Sequence, residues 1–183
     1  MNHWYLVASL PYLRFGEKPP LNRDAFLAAC AGWLAEEDAA VLQAAFDNRC
    51  SPDSEVARRW WNGEVELRNA VVRVRAKNRN TDAGRFIQPH EGFSVSIEKA
   101  VTDAFARANP LEQEIELDRA RWAQADELAL SAPFGFAGVF AFALKLRIAE
   151  RWAGLDAAAG QSKVEEFVKF GIQTEDRKGR EDA

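Results

Sequence analysis

The sequence predicts an all-α or mainly α protein, a multi-helix, bundle-like single domain with a short extended segment at its N-terminus. Most apolar residues recur at the three- and four-residue spacing of amphipathic helices. The segments between them are short and rich in Gly, Pro and Asn, as expected for turns that join neighbouring helices. We expect one helical domain over residues 1–172 and a disordered polar tail over 173–183, because the tail carries no apolar anchor.

Length and composition fit one globular domain. The chain has 183 residues, of which 48% are hydrophobic and 28% charged. These values are typical of globular proteins and exclude a disordered chain, a collagen-like repeat and a disulfide-rich miniprotein. Six Trp and twelve Phe beside a single Met predict a stiff, aromatic core.

The first predicted element is the apolar run at residues 4–10, WYLVASL, which ends at Pro11. It is the best strand candidate in the chain, although a buried helical turn also fits. The N-terminal stretch lacks the basic region of a signal peptide and Pro11 interrupts it, so we expect no secretion. The two cysteines have no metal-ligand spacing, which is typical of a reduced, cytoplasmic protein.

Capping signals predict the next helices. Asn22 is a candidate N-cap with Asp24 in the first helical turn, and Ser51 with Pro52 forms a candidate N-cap and N1 pair. Residues 55–77 fit a helical stripe and, in part, the alternation of a half-exposed strand. The high Arg and Glu content and the lack of a turn signal favour the helix.

After a loop over residues 78–94, the chain becomes strongly helical. Four further helix starts are predicted, at Ser94 or Ser96, Asn109–Pro110, Pro133 and Asp156. The uncharged run 128–144 is shorter than the roughly twenty residues of a membrane-spanning helix, and Pro133 and two glycines interrupt it. We therefore expect a buried core helix there and no membrane span.

Chemical motifs are nearly absent. His3 and His90 have no partner at metal-ligand spacing, so we expect each at the surface or capped by a hydrogen bond. The sequence has neither a nucleophile motif nor a phosphate-binding glycine loop. The acidic cluster 36–38 fits the first turn of a helix better than a pair of catalytic carboxylates. We predict no enzyme activity, no cofactor and no metal site.

Residues 58–85 stand out by their charge. Eight basic and three acidic residues give this segment +5, which leaves −9 for the rest of a chain of net charge −4. Such a patch attracts an acidic protein, nucleic acid or a membrane surface, and its tryptophans would add a stacking surface. The alternative is a solvated helix face paired with local Glu. The candidate partner-binding residues are Arg58, Arg59, Trp60, Trp61, Arg68, Arg73, Arg75, Lys77, Arg79 and Arg85.

Three stretches carry a family resemblance: residues 5–27 (YLVASLPYLRFGEKPPLNRDAFL), 46–49 (FDNR) and 142–156 (FALKLRIAERWAGLD). The chain resembles an uncharacterised bacterial domain-of-unknown-function family whose members are encoded among the subunit genes of bacterial V-type (A/V-type) ATPases. The resemblance implies a non-enzymatic accessory or structural subunit, not the part that hydrolyses nucleotide.

The resemblance also implies V-type ATPase subunits as partners and a cytoplasmic position, peripheral to the inner membrane through the ATPase. More specifically, it implies a stalk-like coupling element similar to the C-type (d-type) subunit, although 183 residues is shorter than a typical subunit of that type. The alternative function is an independent helical binding module for protein or nucleic acid that uses residues 58–85. The net acidity and the lack of an RNA or DNA motif argue against nucleic acid.

Overall fold

The computed structural model describes residues 3–155, and every regular element within them is helical. The elements are α1 (Trp4–Ser9), α2 (Arg23–Cys30), α3 (Glu36–Phe46), α4 (Glu55–Asn78), a 3-10 turn (Gly84–Phe86), α5 (Val95–Phe105), α6 (Pro110–Ser131) and α7 (Phe136–Ala153). The mainly α prediction and the helical prediction for residues 55–77 are confirmed. The predicted helix at Asp156 and the tail 173–183 lie outside the described residues.

Helix α7 occupies the centre of the fold. It packs against α1, α2, α3, α4 and α6, so neighbours cover most of its surface. A helix that is apolar on nearly all sides suits this position, and its Val139, Phe140 and Leu144 are at most 1% exposed. A smaller core joins α5 to α4 and α6 through residues such as Leu67 and Val101.

The aromatic core is built from phenylalanine more than from tryptophan. Phe26 of α2 stacks on Phe142 of α7 with ring centroids 5.1 Å apart. The ring of Phe46 of α3 also packs against Phe26, with centroids 5.9 Å apart. Of the six tryptophans, only Trp60 is buried, and Trp33 is 49% exposed. The prediction of an aromatic core is therefore correct for phenylalanine and, apart from Trp60, wrong for tryptophan.

The N-terminal segment is helical, and the prediction of a strand and an extended segment at residues 4–10 is wrong. A lone strand would leave its backbone groups unpaired, whereas the helix pairs them internally, with the Val7 N–H donating to the His3 carbonyl at 2.9 Å. Leu6, 1% exposed, anchors this short helix in the core. The alternative prediction for residues 4–10, a buried helical turn, comes closer to the structure.

Helix boundaries follow the predicted capping chemistry at Asn22 and Asn109 and depart from it at Ser51–Pro52. Asn22 and Asn109 are N-caps as predicted, and their Oδ1 atoms each accept a backbone N–H at 2.9 Å. Ser51 and Pro52 are not a helix start, because residues 51–54 form a turn closed by the Ser54 N–H donating to the Ser51 carbonyl. Ser54 is the N-cap of α4, and its Oγ accepts the Ala57 N–H at 3.4 Å.

The uncharged run 128–144 is divided between two helices. Its first residues end α6, and α7 begins only at Phe136, so Pro133 lies in the connection and does not start the helix as predicted. Gly138 allows the connection to fold back tightly, since a Cβ there would lie 2.3 Å from the Pro133 carbonyl oxygen. Among the helices of residues 3–155, none combines the length and apolar character that crossing a membrane requires.

Candidate partner-binding site

The predicted basic residues spread along the length of α4 and past its end. Arg58 and Arg59 lie in its first turns, Arg79 is its C-cap, and Arg85 lies in the 3-10 turn beyond. At 1.5 Å per residue, Arg58 and Arg79 are separated by about 30 Å along the helix axis. The structure therefore distributes the ten candidate residues over several surfaces.

Two of these arginines line a groove between α4 and α6. Arg68 and Arg75 lie on one helix face beside Arg121 of α6, around a cavity of about 280 Å³. The guanidinium of Arg68 lies over the Trp61 ring at 5.5 Å, and that of Arg75 lies over the Phe105 ring at 5.8 Å. Cation–π contacts of this kind orient both guanidinium groups. We call this feature the arginine groove.

Other members of the predicted set have local structural partners. Arg73 pairs with Glu98 of α5 at 2.5 Å, and Arg58 donates to the Pro52 carbonyl at 3.2 Å. Trp60 is 5% exposed, so the prediction that it offers a stacking surface is wrong. Within residues 3–155, six exposed basic side chains of the predicted set form no ion pair: Arg58, Arg59, Arg75, Lys77, Arg79 and Arg85.

A buried ionic network lies beneath the arginine groove and joins three helices. Arg121 of α6 contacts Glu64 of α4 at 2.9 Å and Asp118 at 2.8 Å. Asp118 also pairs with Arg151 of α7 and accepts the indole N–H of Trp152 at 2.8 Å. Glu64 and Asp118 are only 3% and 2% exposed, so the charges are mutually compensated inside the protein. We call these five residues the ionic network.

The ionic network keeps Arg121 firmly charged. Burial alone would lower the pKa of its guanidinium, but attraction by Glu64 and Asp118 and the hydrogen bonds to them raise that pKa above its ordinary value. Arg147 of α7 is a contrast, because burial lowers its pKa. Its guanidinium donates to the Ala45 carbonyl at 2.5 Å and to Asn48 Oδ1 at 3.2 Å, which ties α7 to the end of α3.

An exposed group of aromatic side chains lies at the N-terminal helix. Trp4, Tyr5 and Trp33 are 60%, 55% and 49% exposed. The rings of Tyr5 and Trp33 stack with centroids 5.0 Å apart, and Trp4 meets Tyr5 edge-on at 5.9 Å. We call these three residues the aromatic patch. Its rings support one another and leave their outer faces to solvent, an arrangement common at the centres of protein–protein interfaces.

The sequence did not indicate the aromatic patch or the ionic network. Aromatic residues in apolar runs are normally assigned to the core, and only the inward orientation of Leu6 turns Trp4 and Tyr5 outward. The network had a weak signal, namely Glu64 four residues before Arg68 and Asp118 three residues before Arg121.

The histidines and cysteines occupy separate environments. His3 is 5% exposed and its Nε2 has no hydrogen-bond partner within residues 3–155, so the prediction of an exposed or capped side chain is wrong. Burial raises the pKa of the Cys30 thiol to about 11. Residues 3–155 contain no group of three or more His, Cys, Asp or Glu side chains arranged to hold a metal ion. The predicted acidic cluster is confirmed as the first turn of α3.

Comparison of the chain with protein-family models, with curated proteins and with solved structures found no match.

Proposed function

We propose that this protein is a non-enzymatic accessory or structural subunit of a bacterial V-type ATPase and that it binds other subunits through the aromatic patch. The observation that carries the proposal is the exposure of three aromatic side chains on α1 and the turn after α2, of which Tyr5 stacks on Trp33 and meets Trp4 edge-on. Tyr and Trp are enriched among the residues that dominate protein–protein binding.

The size of the aromatic patch is sufficient to anchor a partner. Its three half-exposed rings offer about 300 Å² of mostly apolar surface, and covering that surface would contribute about 7 kcal/mol before the costs of association. Stacking already restricts the Tyr5 and Trp33 rings, so little side-chain entropy remains to be lost on binding. A few rigid aromatic anchors of this kind give a specific contact.

The family resemblance concerns the same part of the molecule. The stretch 5–27 contains Tyr5, and the stretch 142–156 overlaps α7, on which α1 packs. The resemblance therefore includes one residue of the aromatic patch, Tyr5, and part of the helix on which α1 packs. A binding surface supported by the central helix suits a subunit that transmits force between two parts of an assembly.

Within the assembly, we assign the protein a role like that of the C-type (d-type) subunit, as a stalk-like coupling element on the cytoplasmic side. Its contact with the inner membrane would be peripheral and would depend on the ATPase. It would contribute to ion transport by connecting subunits, without binding the transported ion or nucleotide.

The test is co-purification of the tagged protein with detergent-solubilised V-type ATPase. We expect wild-type protein to retain ATPase subunits and Trp33→Ala to retain at least about tenfold less, as for loss of one dominant aromatic contact. Phe86→Ala is the matched control, because Phe86 is 63% exposed in the 3-10 turn, outside the aromatic patch. Absence of wild-type protein from the solubilised ATPase would contradict the assignment.

A second candidate function is an independent binding module for an acidic protein. The arginine groove and the six exposed basic side chains of segment 58–85 that form no ion pair within the described residues favour it. Affinity for an acidic partner should then fall steeply as salt rises. Lys77→Glu with Arg79→Glu should abolish such binding and leave ATPase association intact, which separates the two functions.

A further inference from the structure

A pocket lies between the middle of α4, the residues that precede α5, and α6. Its volume is about 450 Å³, within the roughly 300–1,000 Å³ of small-ligand sites. Trp60, Ile97 and Leu128, each at most 6% exposed, give it an apolar wall. It shares no residue with the aromatic patch or the arginine groove.

An amide without a partner faces this pocket. Both Oε1 and Nε2 of Gln124 are buried, and neither has a hydrogen-bond partner within residues 3–155. Gly63 leaves room for this amide, since a Cβ at that position would lie 3.3 Å from Oε1. A buried amide without a partner is unfavourable, and a ligand that both donates and accepts hydrogen bonds would satisfy it.

The charge of the pocket is negative. Glu66, Glu91 and Glu127 line it against a single basic residue, Arg59. Glu66 is 4% exposed and forms no ion pair within residues 3–155. Its Oε1 accepts the Ser94 N–H at 2.5 Å, so the start of α5 stabilises part of its charge. A cation in the pocket would stabilise this buried carboxylate further.

We propose that the pocket binds the side chain and adjoining carbonyl of an arginine or lysine, either as the free amino acid or within a peptide. The cationic head would pair with Glu66, its methylene stem would pack on the wall at Trp60 and Leu128, and its carbonyl would accept from Gln124 Nε2. Arginine is the better fit, because its planar guanidinium donates to a carboxylate and to Gln124 Oε1 together. This site does not depend on the proposed ATPase function.

The test is a titration of the full-length protein, followed by ¹H–¹⁵N NMR, with three probes. N-acetyl-arginine amide carries both cation and carbonyl, agmatine carries the cation alone, and N-acetyl-glutamate amide is the acidic control. We expect N-acetyl-arginine amide to bind most tightly, agmatine less tightly and N-acetyl-glutamate amide least. Binding should change the amide chemical shifts of Gly63, Gly92 and Gln124. Equal binding of the acidic probe, or no shift at these residues with any probe, overturns the proposal.

Two variants test the assigned contacts. Glu66→Gln keeps an acceptor for the Ser94 N–H and removes the charge, so affinity for N-acetyl-arginine amide should fall about tenfold or more. Gln124→Leu should weaken N-acetyl-arginine amide more than agmatine, because only the former contributes a carbonyl. Glu112→Gln, at an exposed position on α6, is the control and should bind like wild type.

Circular dichroism establishes that each variant is folded, and Gln124→Leu carries the test if Glu66→Gln unfolds. Unchanged affinity for N-acetyl-arginine amide in the folded variant overturns the proposal. Comparing the affinities of free arginine and of the tripeptide acetyl-Ala-Arg-Ala-amide shows whether the natural ligand is a free amino acid or part of a peptide. Tighter peptide binding assigns a partner's side chain, and tighter binding of free arginine assigns a small metabolite.

Discussion

The ionic network and the aromatic patch reverse the usual placement of residue types. The network buries Glu64 and Asp118 beside Arg121, whereas the patch exposes Trp4, Tyr5 and Trp33. Burial of charge is tolerated because each carboxylate has a cationic partner at hydrogen-bond distance. Exposure of aromatic rings is unfavourable in a monomer and favourable in a complex. We therefore expect the ionic network to serve folding, and the exposure of the aromatic patch is what supports the proposed binding role.

The sharpest test of the network is Asp118→Ala, which leaves Arg121 and Arg151 without a shared partner. We expect the free energy of unfolding to fall by about 3–5 kcal/mol, as when one member of a buried ion pair is removed. Urea denaturation monitored by circular dichroism measures the change. Glu112→Ala on the same helix should differ from wild type by at most about 0.5 kcal/mol. A loss for Asp118→Ala as small as this control would show that the network is not structural.

The support of the aromatic patch can be tested through Gly138→Ala. The added Cβ would lie 2.3 Å from the Pro133 carbonyl oxygen and 3.6 Å from Val7 of α1. The connection before α7 must then shift, and we expect a loss of about 2 kcal/mol in the free energy of unfolding. Gly154→Ala is the control, since its Cβ would be 3.4 Å from the nearest atom. Equal stability of the two variants would contradict the close packing described here.

Cys30 reports whether the core at the end of α2 is closed to water. Its folded pKa of about 11 lies above the ordinary value of 9.0, so the unfolded thiol ionises first as pH rises. The stabilising effect is complete below pH 9.0 and is lost progressively as the pH rises through about 11. Between pH 9.0 and about 11, the unfolding free energy of Cys30→Ala should therefore fall less than that of wild type. Parallel pH profiles for the variant and wild type would mean that the thiol is hydrated.

The smallest effect on folding is expected at the aromatic patch itself. Tyr5→Ala with Trp33→Ala removes the stacked pair, whose ring–ring contact contributes about 1 kcal/mol to the free energy of unfolding beyond the area that the two rings bury. Chemical denaturation measures this value beside that of Asp118→Ala. If the free energy of unfolding falls as much as in Asp118→Ala, the aromatic patch has a structural role. The contrast between the two regions would then be wrong.

The sequence predicted those features that local chemistry decides. Asn22 and Asn109 cap helices because their side chains reach backbone N–H groups within three residues, and α4 follows from a continuous helical stripe. Ser51 with Pro52 offered a local capping signal, whereas the helix begins at Glu55 with Ser54 as its N-cap. Local rules therefore identified helices and left two starts misplaced, at Ser51–Pro52 and at Pro133.

The candidate site depends on packing, which a sequence pattern does not contain. Residues 4–9 are apolar nearly throughout, so nothing in the run indicates that Leu6 faces inward and Trp4 outward. Likewise, the spacing of Asp118 and Arg121 is equally typical of a solvated helix face. Only the contact with α4 and α7 buries that pair. The basic segment 58–85 was visible as charge, but its division into separate surfaces follows from the 24-residue length of α4.

The central claim is that the aromatic patch binds the ATPase and contributes little to folding. The most direct test measures both properties in one preparation of the Tyr5→Ala, Trp33→Ala variant: unfolding free energy by denaturation, and retention of V-type ATPase subunits on affinity purification. We predict a folded protein, destabilised less than Asp118→Ala, that retains almost no ATPase. A folded variant that retains as much ATPase as wild type would contradict the claim.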